Sequence, residues 1–283
     1  MVTFGGACAH GLRLGAVLLA LVGSARADVG PGMATLSEAY MLDELFAIIA
    51  EEGRDNAATI HSEVLDHAAG DAWDRAVRRL YDPARLHTVF LGELTQELAT
   101  QPQVIDAALA FADAPAGRQL IQLEIEVRAA MLDDDIDAAA RDRLAMARDE
   151  DADTLGFVRE RIAVHDLVEM NVSLGLNSAL AYFTGFNDTA PGSMRLDAGR
   201  IMGDVWQQEP AIRAEVGEWL EAYFLLAYSP LSEDARAEAM VHFEASEGAA
   251  FNTAMFNAFD RVFAQVSAAL GAEVGRVLAM RDI

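Results

Sequence analysis

The chain has no lysine, and its one cysteine is Cys8. With a single cysteine, no disulfide framework and no cysteine-built zinc or iron–sulfur site can form within one chain. Without lysine, Schiff-base chemistry and a phosphate loop of the Walker type are excluded. Positive charge is scarce as well. Twenty-one arginines face 45 aspartates and glutamates, giving a formal charge of −24 and a pI near 4.4. A basic surface is needed to displace counterions from nucleic acid, so this composition argues against that partner. It also disfavours binding to anionic lipid headgroups. Nucleophile and metal motifs are missing too: there is no G-x-S-x-G, S-x-x-K, H-E-x-x-H or glycine-rich phosphate loop.

What is present is alanine, 54 residues of it, in a chain of 283 that is 53% apolar and 23% charged. That is too hydrophobic for a disordered acidic tail. The length suits one large domain or two of ordinary size. At the N-terminus, His10 and Arg13 precede an apolar run from Leu14 to Val22, followed by Gly23-Ser24-Ala25-Arg26-Ala27. The small residues Ala25 and Ala27 form an A-x-A site, so residues 1–27 read as a Sec-type signal peptide cleaved after Ala27. A nine-residue helix rises about 14 Å, roughly half the hydrocarbon thickness, so no stable membrane anchor is expected after cleavage. Cleavage removes Cys8, Arg13 and Arg26 but no acid, leaving a cysteine-free chain of charge −26. An arginine-only basic set with such a signal points to a Gram-negative periplasm.

Beyond the signal, apolar residues recur at three and four, as in Leu42, Leu45, Phe46, Ile49 and again Leu120, Leu123, Val127, Met131. No period-2 stretch and no Asn-Gly or Asp-Gly turn interrupts them. About ten helices and no sheet are expected. Pro83, Pro102, Pro210 and Pro230 fall at or just before helix starts, where a missing N–H costs nothing. The stretch 187–193, NDTAPGS, reads as a loop.

The chain also resembles itself. FADAPAG at 111–117 matches HFEASEG at 242–248, an offset of 131, and DELFAIIAEEG at 43–53 matches HDLVEMNVSLG at 165–175, an offset of 122. The pattern predicts an all-α, multi-helix orthogonal bundle of two related helical units, 34–132 and 156–281. An acidic connecting helix over 133–155 would present Ile136, Ala140 and Leu144 on one face. Each repeated segment reads as a corner between two helices, with Gly117 or Gly248 permitting the reversal. Pro115 is an N1-type starter and Ser246 an N-cap-type starter.

These corners, with Gln101-Pro102 ahead of the first and Leu231-Ser232-Glu233-Asp234 ahead of the second, resemble the bacterial domain of unknown function 2059 family. The sequence departs from that pattern at Ser246, where proline is usual, and at His242, where phenylalanine is. The resemblance implies an exported helical protein and brings no catalytic residues.

Candidate chemistry is thin. His61, Glu63, Asp66 and His67 form the densest titratable cluster. On a continuous helix its two histidines lie about 120° apart, too far round to share a metal, while Glu63 and His67 make an ordinary i, i+4 surface pair. Asp133, Asp134, Asp135 and Asp137 lack the glycine and the twelfth-position glutamate of a calcium loop and read as helix-capping acids. No catalytic, cofactor-binding or metal residues are assigned, and no cofactor is expected. Phe251, Phe256, Phe259 and Phe263, with Met255 and Val262, form a stripe suited to core packing or to an apolar groove. WLEAYFLLAY, 219–228, reads as a central helix or a subunit interface. The expected function is a non-enzymatic binding or envelope-associated interaction protein, its partner a protein or an apolar ligand. The alternatives are a carboxylate-based hydrolase of envelope polymer and a carrier or chaperone for apolar cargo.

Overall fold

A computed structural model describes residues 31–150 and 153–281. The signal-peptide reading of 1–27, with Cys8, lies outside the described residues. Thirteen helices and no strand are present among them: α1 (Pro31–Ala39), α2 (Leu42–Glu63), α3 (Gly70–Leu80), α4 (Pro83–Leu98), α5 (Pro102–Asp113), α6 (Pro115–Ala130), α7 (Asp134–Glu150), α8 (Asp153–Val164), α9 (Leu167–Thr189), α10 (Ala198–Gln207), α11 (Glu209–Tyr228), α12 (Glu233–Glu244) and α13 (Ser246–Arg281). The protein is all-α. There are more helices than the expected ten because single residues break what the periodicity reads as continuous. Met41 (φ 51°, ψ 42°) and Asp166 (φ 48°, ψ 40°) each turn left-handed just before α2 and α9.

Local chemistry explains most of the other starts. Pro83, Pro102 and Pro115 open their helices, and the Asp82 side chain accepts from the Arg85 N–H at 3.1 Å. Pro210 is the second residue of α11, whereas Pro230 stands in the turn ahead of α12, which Ser232 caps by accepting from Ala235 N–H. The expected loop at 187–193 begins later, because α9 runs on to Thr189. Asn187 holds it there, accepting from Leu196 N–H and donating to Leu196 C=O.

The two corners share one geometry. Ala114 (φ −66°, ψ 145°) and Ala245 (φ −66°, ψ 144°) are extended between their helices. Gly117 and Gly248 do not supply backbone freedom; each is the third residue of the new helix. Their function is close approach: a Cβ on either would stand 2.0 Å from the carbonyl oxygen of Phe111 or His242. Ser246 opens α13 at the position where Pro115 opens α6, so Ala245, not Ser246, is the cap.

Packing crosses the chain halves. α6 lies against α11 and α12 as well as α5, while α13 lies against α4 and α5 as well as α9, its most extensive neighbour. One core joins α1 to α5 with most of the buried face of α13 and part of α9; the other joins the end of α5 and α6 with α7, α8, α11 and α12. A division at residues 132 and 133 therefore cuts between helices but not between cores, and α8 begins at Asp153, ahead of residue 156. The register of the upstream match also shifts: the left-handed residues Met41 and Asp166 stand 125 apart, not 122. The connecting helix α7 is not simply solvated. Ala140, Leu144 and Ala147 are buried on α11, Arg141 and Arg148 pair with Glu215 and Glu221 of α11, and Ile136 is exposed. WLEAYFLLAY is the C-terminal half of α11, with Leu220, Phe224 and Tyr228 buried.

The α9–α13 contact is the closest in the protein. A Cβ on Gly185 would stand 1.7 Å from Ala268 O, one on Gly271 1.9 Å from Tyr182 O, and one on Gly275 2.3 Å from Thr189 Oγ1. Thr189 uses that proximity to donate across to Ala272 O at 2.7 Å. α13 is long and apolar enough to cross a membrane, but half of its most apolar window is buried within the protein. Its Arg261 pairs with Glu93 and Glu97 of α4, and Asn257 donates to Glu97. Gly271→Ala or Gly185→Ala is expected to cost about 1–3 kcal/mol through overpacking, lowering Tm by several degrees in circular dichroism melts. Gly92→Ala, with nothing within 4 Å of the new Cβ, is expected instead to stabilise by about 0.5–1 kcal/mol.

Candidate functional site

Where the two cores meet, side chains do not fill the space. A partly open cavity of about 260 Å³ lies between α2, α6, α8, α9, α11, α12 and α13. Phe251, Met255, Phe256, Phe259 and Phe263 of α13 form one wall, so the stripe is core on one edge and cavity lining on the other. Leu120, Ile121, Trp219 and Leu220 extend the apolar surface. At one edge the two corners touch: the Phe111 and His242 rings stack at 4.0 Å between centroids with 6° between planes. An apolar space of this size stays dry or takes an apolar guest.

Polar groups reach the cavity from α6, α8 and α12. Arg161, 8% exposed, occupies an apolar position of α8, in line with buried Leu155 and Val158. Its guanidinium carbon stands 4.0 Å from the Phe243 ring centroid. Its Nη1 donates to His165 Nδ1 at 2.7 Å, and His165 Nε2 meets Phe243 C=O at 2.8 Å. Arginine cannot accept and a carbonyl cannot donate, so His165 is the neutral Nε2–H tautomer. Burial, with Arg161 and then His242 adding to it against the Phe243 carbonyl, pushes its pKa down to about 4. His242 is shifted the same way, by burial and then by Arg161.

The Arg161 Nε has no hydrogen-bond partner, and among the described residues no carboxylate forms an ion pair with this guanidinium. Glu124, which lines the same cavity, accepts from the Tyr228 hydroxyl through its carboxyl and from Tyr223 Oη through its backbone carbonyl at 2.9 Å. Burial raises its pKa against the opposing pull of Arg161 and Tyr228. Nearby, Glu52 is committed to a two-point pair with Arg128, at 3.1 and 2.9 Å. A second depression, lined by Arg148, Arg159, Arg213 and Glu221, carries no free cation: Glu221 takes the first two arginines, and Glu169 with Glu209 takes the third.

The histidine cluster is built otherwise than on a helix. α2 stops at Glu63, and left-handed Asp66, His67 and Ala69 fold the chain back, bringing the His61 and His67 rings to 5.3 Å. The Glu63–His67 helical pair therefore does not form. His61 donates to Ala68 C=O and stacks on Trp73, which makes it a packing group. Among the described residues no three metal-ligating side chains converge. In the aspartate run, Asp133 Oδ1 accepts from Asp135 N–H at the start of α7.

The fold assembles one constellation that sequence reading missed. Ser37 Oγ lies 2.7 Å from His87 Nε2, and His87 Nδ1 lies 2.6 Å from Asp43. The order resembles a hydrolytic triad. Its surroundings are those of a packing link: Ser37 is buried within α1, Asp43 is largely exposed, and His87 stacks on Phe46. Neither described cavity reaches Ser37. Arg161 was missed as well, although an arginine at a core position of the three-and-four spacing was the available signal. No protein-family model, curated protein or solved structure matches the chain.

His165 predicts a pH dependence with a definite sign. Its folded pKa lies below the ordinary 6.5, so the unfolded chain binds more protons between about pH 6.5 and 4. The stability tied to neutral His165 is complete above pH 6.5 and disappears towards pH 4, amounting to about 3 kcal/mol at 1.36 kcal/mol per pH unit. In urea titrations between pH 7.5 and 4, His165→Gln is expected to lose less stability than the wild type. Equal losses in both proteins would sink this assignment.

Proposed function

We propose that this chain is an exported, non-enzymatic binding protein whose internal cavity holds an apolar ligand. The observation that carries the reading is the 260 Å³ space walled by the α13 phenylalanines at the junction of the two cores. A folded chain ordinarily fills such a space with side chains, because each missing contact costs dispersion energy. Here the repeated half-structure supports the exception. In this reading the protein consists of two related six-helix halves, α1–α6 and α8–α13, joined by α7. The last helix of each half also packs on the other half, and the cavity lies at that junction.

A carboxylate-based hydrolase is the weaker reading. It needs two free carboxyls flanking a bond. Glu124 faces the cavity, but Glu52 is bound at both oxygens by Arg128. The resemblance to the domain of unknown function 2059 family rests on the two corners, and it agrees with export and with an absence of catalytic machinery. Periplasmic export makes its own prediction: the N-terminus of protein recovered by osmotic shock is expected to be Asp28 by mass spectrometry. An intact Met1 in the soluble protein would overturn export.

The ligand reading is tested with N-phenyl-1-naphthylamine, an uncharged apolar fluorophore. One saturable site per chain with a blue-shifted emission is expected. Met255→Trp, which fills the cavity, is expected to weaken binding at least about tenfold, the scale of burying one large apolar group. Trp206→Ala, which removes an exposed ring on α10, is expected to leave it unchanged. A linear, unsaturable signal, or one lost with Trp206, would count against an internal site.

A further inference from the structure

The cavity holds a cation that the fold does not require. Arg161 stands five residues before the left-handed Asp166, and five residues before the matching Met41 stands Leu36, fully buried. The same position in the first half is satisfied by an apolar side chain. A buried guanidinium without a counterion is costly, and breaking up or omitting a buried ion pair is among the larger single penalties in proteins. Yet Arg161 lacks an ion-pair partner among the described residues and keeps its Nε unbonded.

The groups around it hold the guanidinium without neutralising it. His165 accepts from Nη1 as a neutral base, with its ring fixed by the Phe243 carbonyl, and the Phe243 face packs on the cation. The one carboxyl in the cavity wall, Glu124, accepts from the Tyr228 hydroxyl and forms no ion pair with Arg161. What is left is a planar cation lining a largely apolar space, with its Nε sealed and unbonded and no carboxylate paired with it. A guanidinium edge fits a carboxylate, which it can bind with charge-assisted hydrogen bonds.

We propose that the cavity binds a linear monocarboxylate amphiphile of the fatty-acid class, its carboxylate on Arg161 and its tail along the phenylalanine wall of α13. This rests on the apolar-ligand reading above and adds the headgroup to it. The rest of the protein is strongly acidic, so the anion is selected by this single buried cation and not by the general field. The tail supplies apolar burial, and Arg161 supplies the choice of head.

The test is isothermal titration calorimetry of the purified protein with dodecanoate, dodecan-1-ol and dodecylamine below their micellar concentrations. Dodecanoate is expected to bind one to one, at least tenfold more tightly than the alcohol, with the amine weakest. Arg161→Leu restores the side-chain type found at Leu36 and is expected to abolish the preference for dodecanoate while dodecanol still binds. Arg161→Lys keeps the charge but not the fork and is expected to fall between the two. Equal affinity of wild type for dodecanoate and dodecanol overturns the headgroup assignment and leaves the cavity reading standing. An undiminished dodecanoate preference in Arg161→Leu does the same. Failure of all three amphiphiles to bind overturns both. The wild-type headgroup series decides the question even where a variant does not fold.

Discussion

Two carbonyl oxygens occupy the space of two missing side chains, and the architecture depends on that. At Gly117 and Gly248 the chain folds back so tightly that the carbonyl six residues earlier presses where a Cβ would be. The reversal turns α6 towards α11 and α12, and α13 along α9 towards α4 and α5. Any other residue would clash with backbone, which cannot rotate away as a side chain can. Gly185, Gly271 and Gly275 apply the same device along α9 and α13, where close backbone approach lets Thr189 bridge the two helices.

α6 joins one core with α11 and α12, α13 joins the other with α4, α5 and α9, and the cavity lies where the two cores meet. Phe111 and His242, equivalent residues of the two corners, stack on each other there. The halves differ most around this contact. α6 brings Glu124 and Arg128 to the cavity where α13, at the same distance from its corner, brings Met255 and Phe259. One wall is therefore polar and the facing wall apolar, the arrangement that orients an amphiphile.

The polar wall is internally consistent. Arg128 and Glu52 neutralise each other, Tyr228 occupies Glu124, and Arg161 and the Phe243 carbonyl dictate the His165 tautomer. Of the two arginines in that wall, Arg161 alone makes no ion pair among the described residues, and the Phe243 ring and the His165 imidazole fix its position.

Much of the fold was legible in the sequence because its causes are local. The three-and-four spacing dictates helices, prolines 83, 102 and 115 mark starts, and the FADAPAG and HFEASEG match identifies two corners of one geometry. The site was less legible. His61 and His67 looked separated because the helix holding them was read through Glu63, whereas left-handed residues beyond it bring the rings together. Arg161 was visible only as a charge at an apolar position, since its surroundings depend on Phe243 and Glu124 arriving from elsewhere in the chain. The sequence by itself determined an acidic, thiol-poor, lysine-free helical protein with a repeated corner, because composition, periodicity and cap chemistry act over a few residues. Only the tertiary structure decided which half each final helix packs against, and so where the cavity opens and which charge faces it. Those outcomes depend on contacts between residues far apart in the sequence, such as Arg161 with Phe243 and α13 with α4.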